Sequence, residues 1–184
     1  MSATKIRRSP ALFNLGGARP SPERSAEFYR KYPDCPRPEP LDRLALTLER
    51  DKAEMILTGT KTVEFRDFTP FYHSRLYDKA VMKWIDQNGD NPAISDEEFA
   101  CADPVRPVRS IHFYNYNKTW SLDVSIKETG IVALTSEGIR MMHERFNCHE
   151  LDRNYEYCNA NAIPENERPL YFYFYIDMVI DNTL

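Results

Sequence analysis

The chain has 184 residues, of which 42% are hydrophobic and 28% are charged, and its formal net charge is −4 at pH 7. A chain of this length can bury one sizeable core, so we expect one main globular domain with an extension. No run approaches the ~18 apolar residues of a membrane span, and the start lacks the apolar segment of a secretory signal, so we expect a cytoplasmic protein that does not bind membranes.

Residues 1–40 differ in composition from the rest of the chain. They hold seven of the 13 prolines and eight basic against four acidic residues, a net charge of +4 that leaves −8 for residues 41–184. Ser21 and Pro22 predict a short helix that ends near Tyr32, and the following prolines predict an extended linker. This basic extension is either a segment without a binding role, whether packed or flexible, or an arm that binds a partner. Such an arm would contact phosphates or the acidic surface of the partner.

Residues 41–184 are acidic, with 16 basic against 24 acidic residues. Binding along a DNA duplex needs many Lys and Arg contacts that release counterions, so we expect no extensive duplex binding. A cleft for one nucleotide or a short single strand needs only a few basic groups and a stacking surface.

A strand from Leu44 to Leu48 and a short amphipathic helix from Asp51 to Thr58 are the first predicted elements of this domain. Gly59 follows the helix at the position where a left-handed residue ends it. A second strand begins soon after, and period two places Val63 and Phe65 on one of its faces, with Phe65 expected in the core.

The other face of this second strand carries Glu64 and Arg66, and Lys61 lies in the turn before it. A rise of ~3.3 Å per residue gathers the three charged groups within roughly 10 Å. Either these groups simply pair with each other, or they line a ligand cleft.

The order G-x-K-x-x-E-x-R after a helix, at Gly59, Lys61, Glu64 and Arg66, resembles the signature of ASCH domains, a PUA-like group of small β-barrels. The resemblance covers roughly residues 41–184. It implies an α+β fold with a PUA-like barrel of about five to six mostly antiparallel strands and flanking helices, closed by a strand from Leu170 to Ile180.

The resemblance also implies a function, since RNA binding is the usual proposal for ASCH domains. Lys61 and Arg66 would bind an anionic or carbonyl oxygen, and Glu64 would accept a hydrogen bond from the amino edge of a base. The expected ligand is single-stranded RNA or a modified nucleoside. A non-catalytic protein-interaction module that uses the basic residues from Lys5 to Arg37 is an alternative.

Small bacterial ASCH amidohydrolases, which remove an acyl group from modified cytidine, are also similar to this chain at Gly59, Lys61, Thr62, Arg66 and Asp67. The resemblance implies Lys61 as the nucleophile. The threonine that follows it by three positions in those enzymes is Glu64 in this chain. The glutamate on their later helix corresponds to Glu144 only in a shifted alignment. An enzyme of this kind is therefore an alternative function.

The segment after the motif predicts further elements in chain order. Thr69 and Pro70 begin a predicted helix that runs to about Gln87, within an insertion over residues 71–107. The remaining predicted strands and helices are Ile111 to Tyr116, Leu122 to Lys127, Gly130 to Leu134, Ser136 to Phe146 and Glu150 to Cys158.

Two aromatic sets accompany these strands. Tyr114 and Tyr116 lie on a strand and its turn, where they either pack or stack a base beside the cationic site. In the closing strand, Phe172 and Phe174 are expected in the core, and the tyrosines that alternate with them, such as Tyr173, are expected to form a half-covered ladder on the other face.

The cysteines are scattered in a chain too large to need disulfides, so we expect reduced thiols. His143, Cys148, His149 and Cys158 are zinc ligands in kind, but they lack the C-x-x-C spacing of a zinc site. We therefore predict neither a metal nor a cofactor. Phosphate-loop, dinucleotide-binding and serine-hydrolase motifs are also absent from the sequence.

Overall fold

A computed structural model describes residues 20–184, and these residues form an α+β fold. The sheet contains β1 (Leu44–Thr47), β2 (Val63–Asp67), β3 (Ser110–Tyr114), β4 (Ser121–Ala133) and β5 (Leu170–Asn182). The helices are α1 (Pro22–Lys31), α2 (Arg50–Leu57), α3 (Pro70–Leu76), α4 (Lys79–Asn88), α5 (Asp96–Phe99), α6 (Ser136–Phe146) and α7 (Asp152–Ala160). The predicted α+β class is confirmed.

The five strands form one sheet in the order β1-β3-β4-β5-β2. The β1–β3 pair is parallel and the other three pairs are antiparallel, as the mostly antiparallel prediction requires. Both β1 and β2 are edge strands of this sheet. The Arg66 side chain of β2 reaches the Thr47 carbonyl of β1, so the sheet curls until its two edges face each other across a gap. This gap leaves room for a cleft.

Both faces of the sheet are covered. The first face packs a cluster that includes Leu46, Phe113 and Phe172, and the second face packs Val63 and Tyr173 against α6 and α7. Alternation along β5 thus directs neighbouring aromatic rings into two different cores. The prediction of a half-covered tyrosine ladder was wrong for Tyr173, which is 1% exposed, because α6 and α7 cover this face.

Strand β4 is a single strand of 13 residues, where the sequence predicted two. Gly130, the predicted start of a new strand, lies inside the ladder opposite Tyr173. A Cβ atom at this position would approach the Tyr173 hydroxyl to 2.5 Å. Glycine is therefore present for the close approach of the tyrosine and does not mark a turn.

The helix predicted from Pro70 to about Gln87 is instead two helices. Tyr77 is extended between them, and the Asp78 side chain accepts hydrogen bonds from the backbone N–H groups of Ala80 and Val81 at 2.9 and 3.2 Å. Asp78 thus caps a new helix. The later helix predicted from Glu150 begins at Asp152 instead, which leaves Glu150 in the turn before it.

Helix α1 packs on the segment that was predicted to be an insertion. Phe28 is 3% exposed and lies edge-on to Trp84 of α4, and the Trp84 indole N–H donates to Asp34 at 2.9 Å. Part of the predicted extension thus contributes to a third hydrophobic cluster. Residues 1–19, with much of the basic segment proposed as an interaction arm, lie outside the described residues.

Candidate functional site

The turn between α2 and β2 positions Lys61. Gly59 has a φ of 74°, the left-handed conformation expected from the sequence, and it redirects the chain after the helix. The Lys61 N–H then donates to the Met55 carbonyl at 3.0 Å, which ties the turn to α2. The lysine side chain is directed by these constraints toward the turn between α6 and α7.

The Lys61 ammonium group is buried between two carboxylates. The residue is 4% exposed, and its Nζ lies 2.7 and 2.6 Å from the two carboxylate oxygens of Glu150. Nζ also lies 3.4 Å from Oε2 of Glu64. The structure therefore brings together Lys61 and Glu64, as expected from the motif, and adds a second carboxylate that the sequence analysis did not select.

Arg66 extends this network to the opposite edge of the sheet. Its Nη2 lies 2.9 Å from Oε1 of Glu64 and donates to the Thr47 carbonyl of β1 at 2.7 Å. The guanidinium group thus bridges the edge strands β1 and β2. Its Nε is buried without a hydrogen-bond partner within residues 20–184, so the donors of Arg66 are not all satisfied.

A cavity of about 700 Å³ opens beside the Glu64–Arg66 pair. It is called the Arg66 cleft below. It is lined by Thr47, Leu48, Glu49, Arg50, Lys52, Glu64, Phe65, Arg66, Asn115, Tyr116, Thr119 and Trp120. Lys61 is not among these residues, so the cleft presents the glutamate and the arginine to a ligand and keeps the lysine behind them.

Burial dominates the electrostatics of Glu64. It raises the pKa of this carboxyl group above the ordinary value, against the opposing attraction of Lys61 and Arg66. When it is ionised, Glu64 is an acceptor only, and it already binds two cationic groups. A further donor from a ligand would complete its hydrogen bonding.

The two tyrosines predicted to bind a ligand lie in different places. Tyr116 lines the Arg66 cleft and is 91% exposed, so its ring is available for stacking. Tyr114 instead lines a separate cavity of about 430 Å³ with His112. Trp120 borders both cavities and is 5% exposed, which makes it a rigid wall of the Arg66 cleft.

Phe65 also differs from the expectation, because it lines the cleft and is only half-buried against the second cluster. Its position beside the cleft, with Lys61 Nζ 5.8 Å from the ring centroid, explains this partial burial. The rim also carries Arg50 and Lys52, each paired with a neighbouring exposed carboxylate. The cleft is thus polar at its floor and rim and apolar at its walls.

The structure places the proposed catalytic Glu144 on the exposed side of α6 and places Glu150 at Lys61. No local signal distinguishes Glu150 in the sequence, because its position depends on how α6 and α7 dock on the sheet. The sequence placed Glu150 at the predicted start of a helix, where an acidic residue is ordinary.

No family model matches the chain, and no curated protein matches it. The chain is similar to the crystal structure of a mutant ASCH protein from Zymomonas mobilis, with 12% sequence identity and a TM-score of 0.39. The similar region covers 77% of this chain and 73% of that chain. Within residues 20–184, no helix is long and apolar enough to cross a membrane.

Proposed function

We propose that the Arg66 cleft binds a nucleotide-sized ligand that carries a base with an exocyclic amino group. The observation that supports this proposal most directly is the Glu64–Arg66 pair on the floor of a cavity of about 700 Å³. Clefts of about 300–1,000 Å³ with apolar walls and a few fixed polar groups are typical of small-molecule sites.

The polar groups on the floor of the Arg66 cleft can form hydrogen bonds with the edge of a base. Glu64 would accept from an exocyclic amino group, and Arg66 would donate to a neighbouring carbonyl or ring nitrogen. Tyr116 would stack on the base, and Trp120 would support it from the side. Arg50 and Lys52 at the rim are the groups that would face a phosphate.

The limited positive charge of the cleft favours a short ligand. Three basic and two acidic side chains line it, and residues 41–184 carry a net charge of −8. Binding of a long RNA along its backbone would need a continuous basic surface. We therefore propose a mononucleotide, a modified nucleoside or a short single strand.

Thermal-shift measurements with the four nucleoside 5′-monophosphates would test this function. CMP, AMP and GMP carry an exocyclic amino group and UMP does not, so we expect UMP to stabilise the protein least. Glu64→Gln should narrow this difference, because an amide both donates and accepts. Equal shifts with all four nucleotides in both proteins would contradict the proposed role of Glu64.

Two matched pairs of variants test the other contacts. Tyr116→Ala should weaken binding by about 1–3 kcal/mol through lost stacking, whereas Tyr157→Ala, at a tyrosine that is 65% exposed on α7, should not. Arg66→Lys should weaken binding because it loses the planar fork, whereas Arg109→Lys should not, because Arg109 pairs with Asp42 outside the cleft.

Hydrolysis of an acyl group from a modified nucleoside is a second candidate function. The observation that favours it is the buried Lys61 between Glu64 and Glu150. A nucleophilic lysine must give up a proton before it attacks a carbonyl carbon, and Glu150, whose side chain is 42% exposed, is the acceptor nearest to Nζ. Because Lys61 does not line the cleft, Glu150 or the turn that carries it would have to move first.

Lys61→Arg separates the two functions. If Lys61 only holds Glu64 in place, arginine supplies the same positive charge and N–H donors. Nucleotide binding should then remain measurable in this variant. A lysine that attacks cannot be replaced, since arginine stays protonated. If wild type releases acetate from N4-acetylcytidine and Lys61→Arg binds this compound without turnover, hydrolysis replaces binding as the function.

A further inference from the structure

Three side chains of types that can ligate a metal ion meet in the turn between α6 and α7. His143 lies in the last turn of α6, His149 lies in the connecting turn, and Asp152 is the first residue of α7. None of them lines the Arg66 cleft. Their ligand atoms all lie within 4.8 Å of one another.

The side chains already converge on one point. Nε2 of His143 lies 2.6 Å from Oδ1 of Asp152, and Nδ1 of His149 lies 3.0 Å from Oδ2 of the same carboxylate. The two imidazole rings are 4.2 Å apart, centroid to centroid. Ligand atoms around a tetrahedral ion at about 2.0–2.1 Å lie about 3.3 Å from each other, so modest side-chain rotations would accommodate an ion.

We propose that His143, His149 and Asp152 bind a divalent transition-metal ion of the zinc class. Two imidazoles and one carboxylate are a donor set that zinc accepts, whereas Mg²⁺ and Ca²⁺ prefer oxygen ligands alone. The side chains of the three residues are 35%, 59% and 33% exposed, respectively, so an ion can reach them and one coordination position is left to water.

This ligand set differs from the four residues whose spacing argued against a zinc site in the sequence. Cys148 and Cys158 are buried in the second hydrophobic cluster, and Asp152 stands in their place beside the two histidines. The sequence analysis considered both histidines but not Asp152, whose contact with them depends on how α7 follows the turn. The left-handed residue Asn147, with a φ of 48°, makes that turn possible.

An ion at this site would act on the turn that carries Glu150. This residue lies between His149 and Asp152 in the chain, and its carboxylate binds Lys61. An ion held by both flanking residues would restrict the turn and so fix the Glu150–Lys61 pair. The site therefore has a structural role that does not depend on nucleotide binding in the Arg66 cleft.

Calorimetric titration of the untagged full-length chain with ZnCl₂, after removal of metals by a chelator, tests the proposal. We expect one ion per chain, and we expect at least a tenfold loss of affinity in His149→Gln and in Asp152→Asn. MgCl₂ should give no binding. Zinc should also raise the melting temperature of wild type, because it binds the folded state, and the rise should be smaller in both variants.

The chain offers a matched control. His112 and Asp123 form a similar pair at 3.0 Å, and no third metal ligand joins them among residues 20–184, so His112→Gln and Asp123→Asn should leave zinc affinity unchanged. Cys148→Ser should also leave it unchanged. No zinc binding by wild type, unchanged affinity in His149→Gln, or lost affinity in Cys148→Ser would overturn the proposal. His149 is exposed, so its variant is expected to fold even where Asp152→Asn does not.

Discussion

At the residue scale, the site is a chain of alternating charges. Glu150, Lys61, Glu64 and Arg66 follow one another, and the last of them reaches the backbone of β1. Each charge that is taken out of water has an opposite charge beside it, which is the condition for keeping buried charges in a fold. Within this network, Lys61 pairs with one carboxylate oxygen of Glu64 and Arg66 pairs with the other.

Lys61→Met should destabilise the protein because it leaves Glu64 buried with one cationic neighbour instead of two. Breaking a buried ion pair costs about 3–5 kcal/mol, and we expect a value near 3 because Glu150 is partly exposed. Lys52→Met is the control. Its pair with Glu49 is exposed, so its free energy of unfolding should change by less than about 1 kcal/mol. Urea unfolding measures both, and equal effects would contradict the burial of Lys61.

The pH dependence of stability tests Glu64. Its pKa is raised, chiefly by burial, so the folded protein binds this proton more tightly than the unfolded chain does. The resulting stabilisation is present below the unfolded pKa of about 4.3 and is lost as pH rises through the folded pKa. Relative to Glu64→Gln, wild type should therefore lose unfolding free energy from about pH 4 upward. A relative gain over the same range would show that Lys61 and Arg66 outweigh burial.

Sequence reasoning identified three members of the charge network and missed the fourth. Gly59, Lys61, Glu64 and Arg66 are close in the chain, so helix and strand periodicity are enough to place them together. Glu150 is 89 residues from Lys61, and its position depends on tertiary packing. Local rules therefore predict the motif and do not predict its partner.

At the element scale, α1 joins the predicted extension to the rest of the fold. Phe28 fills a cluster with Trp84 and Phe99, and the Lys31 and Tyr32 side chains both bind Glu98 of α5. Composition alone marked residues 1–40 as one unit because proline content and charge do not show which faces become buried. The amphipathic face of α1 was the available signal.

Truncation distinguishes the two parts of the extension. Removal of residues 1–19 should leave the melting temperature nearly unchanged, a prediction that rests on their composition. Phe28→Ala should lower the free energy of unfolding by about 3–5 kcal/mol, because it empties a buried aromatic site. Thermal and urea unfolding of the two proteins check this. A large effect of the short truncation, or a negligible effect of Phe28→Ala, would contradict this division.

At the scale of the whole molecule, a sheet with two covered faces leaves open the gap between its edge strands. The strand order was not predicted, since periodicity predicts strands and does not pair them. Alternation along β5 correctly separated its Phe and Tyr residues onto two faces. It gave no sign that α6 and α7 would cover the tyrosine face. The Arg66 cleft lies between these two edges. Strand β2, the first turn of α2 and the turn between β3 and β4 surround it.

The central claim is that a nucleotide binds between β1 and β2 beside Arg66. A titration of ¹⁵N-labelled protein with CMP, followed by two-dimensional NMR, tests it most directly because it reports the location of binding. We predict shifts of the Arg66 Nε–H and Trp120 indole signals and of backbone amides in residues 47–52, 64–66 and 115–120, and no comparable shifts around His143. Shifts confined to other surfaces, or no shifts at millimolar CMP, would contradict the claim.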